Sequence, residues 1–161
     1  MTILSSETTM KKLFMWVAGA MLSAGLMASA GAAGTGTKEE AAEMLKKAVA
    51  YYKANGKDKA FAEFNNKSGQ FVDRDLYVYV LDTTGHIKAH GTNPRLIGKD
   101  LMQLKDADGK LFIVDIVEMI KAQKSGWIDY KWTNPVTKQI EQKTTLVEPV
   151  GDIGLAVGVY K

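Results

Sequence analysis

Apolar residues between positions 38 and 66 recur at spacings of three and four, which is the period of one helix face. This stripe predicts an amphipathic helix over residues 38–54 that ends at Asn55-Gly56. The pattern continues helically over residues 57–66, turns Phe61 and Phe64 inward, and ends before Gly69. The stripe of the first helix consists of Ala41, Met44, Leu45, Ala48, Val49 and Tyr52.

The rest of the chain alternates as strands do, apart from one helical segment. The segment over residues 110–124 predicts a second main helix, and residues 91–109 predict a long irregular connection with one short helical turn. Short connections between successive strands require antiparallel pairing. The pattern therefore predicts an α+β fold, with a five-stranded antiparallel sheet, a long N-terminal helix and a helix between strands 2 and 3. The predicted strands cover residues 76–81, 86–90, 126–133, 140–148 and 153–160.

The side chains of the first and last predicted strands add detail to this sheet. Residues 76–81 are apolar on both faces, which predicts a central strand. In the last strand, large residues alternate with Gly154, Ala156 and Gly158. A face of small residues lets another element approach the backbone closely, and we expect the first helix to be that element.

The first thirty residues follow the order of a secretory signal peptide. Lys11 and Lys12 precede an apolar run over residues 13–27, and Ala28-Ser29-Ala30 is a small-residue cleavage site. We expect cleavage near Ala30, secretion to the periplasm, a flexible tail over residues 31–37 and one domain over residues 38–161. An uncleaved membrane anchor is the alternative, but the Ala- and Gly-rich run falls short of the roughly 20 strongly apolar residues that a span needs. Met10 is an alternative start.

Composition excludes several classes of function. The chain has no cysteine, which removes disulfides, thiolate metal sites, cysteine nucleophiles and covalent haem attachment. Its only histidines are His86 and His90, its net charge is +3, and it has no basic run. We therefore expect no metal, no cofactor and no nucleic-acid partner. No catalytic motif is visible, so we do not expect an enzyme.

Several segments, in this order and spacing, resemble the type 2 single-Cache family. The resemblance covers residues 38–161, nearly the whole of the chain expected after signal-peptide cleavage. Residues 64–71 resemble the link between the N-terminal helix and the first strand, and residues 76–90 resemble the first hairpin of that family. The other matching segments are 96–101 and 105–110 in the central loop, 126–135 in the third strand, Lys143, 150–152 and 158–160.

The resemblance implies a PAS-like extracellular sensor fold, used by chemoreceptors and histidine kinases. The ligands it implies are small carboxylates such as acetate, propionate, pyruvate or lactate. Members in receptors are flanked by two membrane helices and followed by a signalling domain, whereas this sequence stops at Lys161. We therefore expect it to act with a separate membrane receptor or kinase. A homodimer through the N-terminal helix is also implied by the resemblance.

Lys143 is the first candidate for binding an acid. A buried carboxylate needs a cation and several hydrogen-bond donors. The pattern alone leaves Lys143 as either a solvated strand residue or an anion-binding group, and the resemblance favours the second. His90, which ends the second predicted strand, is a candidate donor.

Aromatic residues are the next candidates. Tyr77 and Tyr79 share one strand face, and Tyr130 shares a face with Trp132. They suit a pocket wall and a packed core equally well. Trp127, by parity on the opposite face of its strand, is expected in the core.

Two loop residues complete the set of candidates. Arg95 is a possible clamp over the ligand, and Asp106 is expected either to pin the loop or to contact the ligand. The alternative to a binding module is a structural or interaction module with a filled core.

Overall fold

The computed structural model describes residues 34–161. Helix α1, Lys38–Asn55, begins at a capping box in which Thr37 and Glu40 each bond the other's backbone N–H. It ends at Gly56, whose φ of 78° suits a residue without a Cβ. The other helices are α2, Lys57–Phe64, and α3, Phe112–Lys121, and a short 3₁₀ turn spans Pro94–Leu96.

Six strands form one antiparallel sheet. Strand β2 pairs with β6, β6 with β5 and β5 with β4, while β1 and β3 both pair with the other edge of β2. The strands are β1 Val72–Asp73, β2 Leu76–Asp82, β3 Ile87–His90, β4 Gly126–Thr133, β5 Ile140–Val150 and β6 Ile153–Tyr160.

The five predicted strands, the long first helix and the helix between the second and third of them are confirmed. Strand β1 was not predicted, because two residues are too short to show alternation. It forms at the tight turn of Arg74 and Asp75, where Arg74 adopts a φ of 56°. The long connection and its single helical turn, Pro94–Leu96, are also as predicted.

Helices cover both faces of the sheet, and the side chains of β2 divide between the two layers. Leu76, Val78 and Val80 pack with α1 and α2, whereas Tyr77 and Tyr79 face α3. Every residue from Leu76 to Leu81 is buried, as predicted for a central strand.

The face of small residues on β6 lies opposite to our expectation. Helix α1 packs on Ile153, Leu155, Val157 and Val159, which offer it more apolar area. The small residues face α3 instead: a Cβ added at Gly154 would lie 2.6 Å from Ile120 Cδ1.

The expectation that Trp127 lies in the core was also wrong. Strand β4 is at the edge of the sheet, and Trp127 is 39% exposed. The Lys38 ammonium, at the start of α1, lies 4.9 Å from the centre of the Trp127 ring.

The predicted N-terminal regions are only partly described. The expected signal peptide lies outside the described residues. Within the expected tail, Gly36 is buried and Thr37 caps α1, so the ordered domain begins before Lys38. No helix within residues 34–161 has the length and apolar character to cross a membrane.

Candidate functional site

A fully buried lysine lies in the middle of β5. Lys143 is opposite Tyr160 of β6 and opposite Tyr130 of β4. A Cβ added at Gly158 of β6 would overlap Lys143 Cε. The absent side chain of Gly158 therefore leaves the space in which the stem of Lys143 lies.

The ammonium of Lys143 is surrounded by tyrosines. Lys143 Nζ donates a hydrogen bond of 2.7 Å to Tyr77 Oη. It lies 4.0 Å from the ring centre of Tyr77, 4.8 Å from that of Tyr160 and 5.7 Å from that of Tyr79. These are favourable cation–π distances. Within residues 34–161, no carboxylate forms a salt bridge with it.

Burial changes the ionisation of Lys143. Removal from water disfavours the charged form and lowers the pKa of Lys143 to about 7. The charge of Asp75 opposes this shift. Near neutral pH the charged and neutral forms of Lys143 therefore coexist, and a bound anion would favour the charged form.

The tyrosines form two short polar chains. Tyr77 Oη shares a hydrogen bond of 3.3 Å with Tyr160 Oη, which donates to the carbonyl of Thr133 at 2.9 Å. Tyr79 Oη shares one of 3.2 Å with Tyr130 Oη. Burial raises the pKa of Tyr130 to about 12 and raises the pKa of Tyr77 and Tyr79 well above 10, so all three phenols stay protonated.

A threonine on β5 extends the hydrogen-bonded chain of Tyr79 and Tyr130. Tyr130 Oη lies 3.0 Å from Thr145 Oγ1, at hydrogen-bond distance. The phenols and this hydroxyl are therefore hydrogen-bonding groups placed beside the buried ammonium.

His90 contributes a neutral imidazole. It pairs with Tyr79 across β2 and β3, and its ring centre lies 4.9 Å from that of Tyr77. Its Nδ1 accepts from the backbone N–H groups of Thr92, at 3.3 Å, and Asn93, at 3.0 Å. Burial, reinforced by the charge of Lys143, lowers the pKa of His90 to about 3. The ring proton therefore belongs on Nε2, which is a donor.

A cavity lies beside these groups, between the sheet, the 91–109 loop and α3. Its volume is about 20 Å³, which is room for one water molecule. Tyr77, Tyr79, His90, Tyr130 and Trp132 line it together with apolar residues of the loop and helix. Lys143 lies behind Tyr77 and does not line it.

An outer cleft of about 280 Å³ adjoins the cavity and shares His90 and Trp132 with it. The two side chains therefore line both spaces. The Trp132 ring lies edge-on to Phe112, with 5.5 Å between ring centres. Phe112 in turn stacks flat on Tyr130 at 4.1 Å.

The loop candidates lie elsewhere. Arg95 is exposed and is not a lining residue of the cavity. Asp106 pins the loop to β4, because its Oδ2 accepts from the Lys131 N–H at 2.9 Å and its Oδ1 accepts from the N–H groups of Asp108 and Lys110.

Three buried residues in or near this site were not predicted from the sequence. Phe112 was assigned only to a helix face, and Tyr160 only to a closing strand; the antiparallel register places Tyr160 opposite Lys143. Asp75 is fully buried, yet it precedes β2 in a turn, where an aspartate is ordinarily exposed. The one available signal was that the strong strand pattern starts immediately after it.

An antiparallel sheet between helices, with an aromatic-walled hollow under a long loop, is the architecture of a PAS-like sensor domain. Residues 8–160 match the family described as Single Cache domain 2. The chain belongs to this family. It is a family of sensory domains and not of enzymes, and its members are sensors outside the cytoplasmic membrane.

Solved structures with this fold include other Cache sensors. A methyl-accepting chemotaxis protein from Vibrio parahaemolyticus RIMD 2210633 superposes with a TM-score of 0.66 at 23% identity, over 76% of this chain and 87% of that one. A Cache chemosensory domain whose structure is described as the basis for carboxylic acid recognition has a TM-score of 0.58 at 25% identity, over 76% of this chain and 86% of that one.

Among curated proteins, the methyl-accepting chemotaxis protein McpP of Pseudomonas putida is 27% identical over 86 residues. The match covers 53% of this chain and 16% of that protein. The chain therefore matches only a small part of a much longer protein.

Proposed function

We propose that this domain is a periplasmic sensing module that binds a small carboxylic acid of the acetate, propionate, pyruvate or lactate class. The observation that carries the proposal is the buried ammonium of Lys143, which has one hydrogen-bond partner, a phenol, within the described chain. A buried cation without a carboxylate is costly, and an anionic guest would relieve that cost.

The surrounding donors complete the binding of an acid. In the proposal, the ligand's carboxylate accepts hydrogen bonds from Lys143 Nζ, from His90 Nε2 and from a phenol of Tyr77 or Tyr79. Its short tail packs on Tyr130 and Trp132. The likeness to a Cache domain described for carboxylic acid recognition supports this ligand class.

Binding requires the site to open. The cavity of about 20 Å³ has room for only one water molecule, so side chains must move before an acid of two to four carbons fits. Rotation of Tyr77 would expose Lys143 Nζ, and movement of Trp132 would join the cavity to the outer cleft. The domain would then exchange between closed and open forms, with the ligand shifting the population to the open one.

The wider arrangement is part of the same proposal. Residues 1–30 act as a signal peptide cleaved near Ala30, and residues 38–161 form the sensing domain. The domain acts with a membrane receptor or kinase, and α1 offers a surface for a homodimer.

A structural or interaction module without a ligand is the second candidate. The small cavity volume favours it, because the residues that line the hollow already fill most of it.

Thermal-shift measurement against the four acids distinguishes the two candidates. At millimolar concentration, at least one acid should raise the melting temperature, whereas the matching neutral amide should not. Lys143→Met, which keeps the length of the side chain without its charge, should abolish the shift. Lys131→Met, at a partly exposed lysine of β4, is the matched control and should keep it.

If none of the acids stabilises the protein, the second candidate is favoured. If an acid stabilises the protein and the Lys143→Met variant equally, the ligand binds elsewhere and the proposed role of Lys143 is wrong.

A further inference from the structure

The described chain contains a buried carboxylate that the proposed binding site does not use. Asp75 is 0% exposed. Its Oδ1 accepts from the Gly36 N–H at 2.6 Å, and its Oδ2 has no hydrogen-bond partner among residues 34–161. A buried carboxylate oxygen without a partner is expensive, so another favourable interaction is expected to offset its cost.

Strand register places this carboxylate in line with Lys143. The last paired residues at that end of β2 and β6 are Val78 and Val157. Continuing the register by three residues puts Asp75 opposite Tyr160, and Tyr160 is opposite Lys143. Asp75 is not itself paired with β6, but this count places it at the end of the sheet where Tyr160 and Lys143 lie opposite each other.

The two charges affect each other's ionisation. Burial raises the pKa of Asp75 above its usual value, and the charge of Lys143 opposes this shift. Burial lowers the pKa of Lys143, and the charge of Asp75 opposes that shift. Through a buried region of low dielectric constant such an interaction is only weakly screened by salt.

Asp75 also holds the backbone that precedes α1. Gly36 packs under the side chain of Leu76 so closely that a Cβ would overlap it. One residue later, Thr37 caps the helix. The neighbouring Arg74 reaches the same segment, since Arg74 Nη2 lies 2.8 Å from Glu40 Oε1.

We propose that Asp75 is a positioning residue, the internal counter-charge of Lys143, and that a bound carboxylate loosens its hold on Gly36 at the start of α1. This inference rests on the proposed function. A ligand's carboxylate neutralises Lys143 and repels Asp75, which then favours its protonated form. A neutral carboxyl accepts a weaker hydrogen bond from the Gly36 N–H.

The titration of Lys143, followed by NMR of its Cε, tests without any ligand whether Asp75 is the counter-charge of Lys143. Asp75→Asn should move the midpoint to lower pH, because the only buried carboxylate of the described chain is lost. Asp73→Asn, in the same hairpin and at an exposed carboxylate, is the control and should leave it unchanged. The other polar groups near Lys143, which both variants retain, are Tyr77, Tyr79, His90, Tyr130 and Tyr160; α3 packs on this face through apolar residues.

Hydrogen exchange of the Gly36 amide, measured with and without acetate, tests whether a bound carboxylate weakens the hydrogen bond from Gly36 to Asp75. Acetate should speed exchange in the native protein. Asp75→Asn should speed it by roughly tenfold without acetate, because a neutral amide oxygen accepts a weaker hydrogen bond from the Gly36 N–H than a carboxylate does. In the Asp75→Asn variant, acetate should have no further effect on the exchange rate of the Gly36 amide.

If Asp75→Asn does not fold, Lys143→Met provides the converse measurement and should raise the pKa of Asp75. An unchanged Lys143 midpoint in Asp75→Asn, or an unchanged Asp75 pKa in Lys143→Met, overturns the inference. If acetate stabilises the protein while Gly36 exchange stays constant, the link to α1 is wrong. If no acid binds, the proposed function fails, and the two titrations still decide whether Asp75 is the counter-charge.

Discussion

Lys143 carries a charge into a part of the sheet from which water is excluded. Its pKa is lowered from 10.5 to about 7, so between these values the folded state holds fewer protons than the unfolded state. Stability contributed by this group is therefore lost as pH falls from 10.5 to 7 and gained as pH rises. Each pKa unit corresponds to about 1.4 kcal/mol.

We predict that the free energy of unfolding rises between pH 7 and pH 9, by at most about 1.4 kcal/mol per pH unit from Lys143. Denaturant unfolding measured at several pH values checks this. Lys143→Met should remove the slope, since methionine does not titrate. A slope of the same size in that variant would show that Lys143 is not its source.

Gly158 is the second residue on which the site depends. A Cβ there would overlap both Lys143 Cε and Thr145 Oγ1. We predict that Gly158→Ala destabilises the protein by about 1–3 kcal/mol, as overpacking of a core does, and displaces the Lys143 stem.

Gly154→Ala is the matched control on the same strand, because its Cβ would meet Ile120 and not the lysine. Both variants should unfold at lower denaturant concentration, but only Gly158→Ala should change the titration midpoint of Lys143. A change of equal size in both would mean that Gly158 matters for packing alone.

At the residue scale, parity along a strand was enough to place Tyr77 and Tyr79 on one face of β2 and Tyr130 and Trp132 on one face of β4. It did not predict which of these side chains contact one another. The contact between Lys143 Nζ and Tyr77 Oη spans 66 positions and depends on the order of β5, β6 and β2, which no local pattern contains.

Among the elements, β4 is stabilised in part by a loop. It is an edge strand, and an edge exposes backbone groups that lack partners. Asp106 Oδ2 accepts the Lys131 N–H, and Lys110 Nζ donates to the Asp129 carbonyl at 2.8 Å. The 91–109 loop and the residue that follows it thus satisfy part of this edge.

We predict that Asp106→Ala lowers the free energy of unfolding by about 1–3 kcal/mol, because it leaves backbone donors unpaired. Amide exchange at Lys131 and Lys110 should accelerate in the variant. The matched control is Asp108→Ala, which removes only a surface ion pair with Lys131 Nζ and should cost at most about 1 kcal/mol. Equal effects of the two variants would contradict the pinning role.

The spacing of apolar residues along the chain was sufficient to predict the long helices and the five longer strands. Hydrophobic spacing determines α1 and the alternation of large and small residues determines β6. The same spacing did not predict which face of the sheet each helix packs on. Helix α1 packs on the face of β6 with the larger apolar residues, and α3 and Lys143 pack on the face with the small residues.

For the whole molecule, the central feature is a polar interior that is nearly closed. Two helical layers cover the sheet, and the hollow beside the tyrosines has room for only one water molecule. The charge that we assign to ligand binding lies behind Tyr77, so the account requires the ligand to rearrange the site and not only to fill it. Cavity size and its closure follow from packing, which is why sequence patterns could not predict them.

Calorimetric titration of an acid that stabilises the protein, at pH 8 in buffers of different ionisation enthalpy, tests most directly whether Lys143 meets the carboxylate. With a free-state pKa of about 7, Lys143 is mostly neutral at that pH and should take up most of one proton when the anion binds. His90, with a pKa of about 3, should take up none. Binding without proton uptake, or uptake that persists in Lys143→Met, would contradict the account.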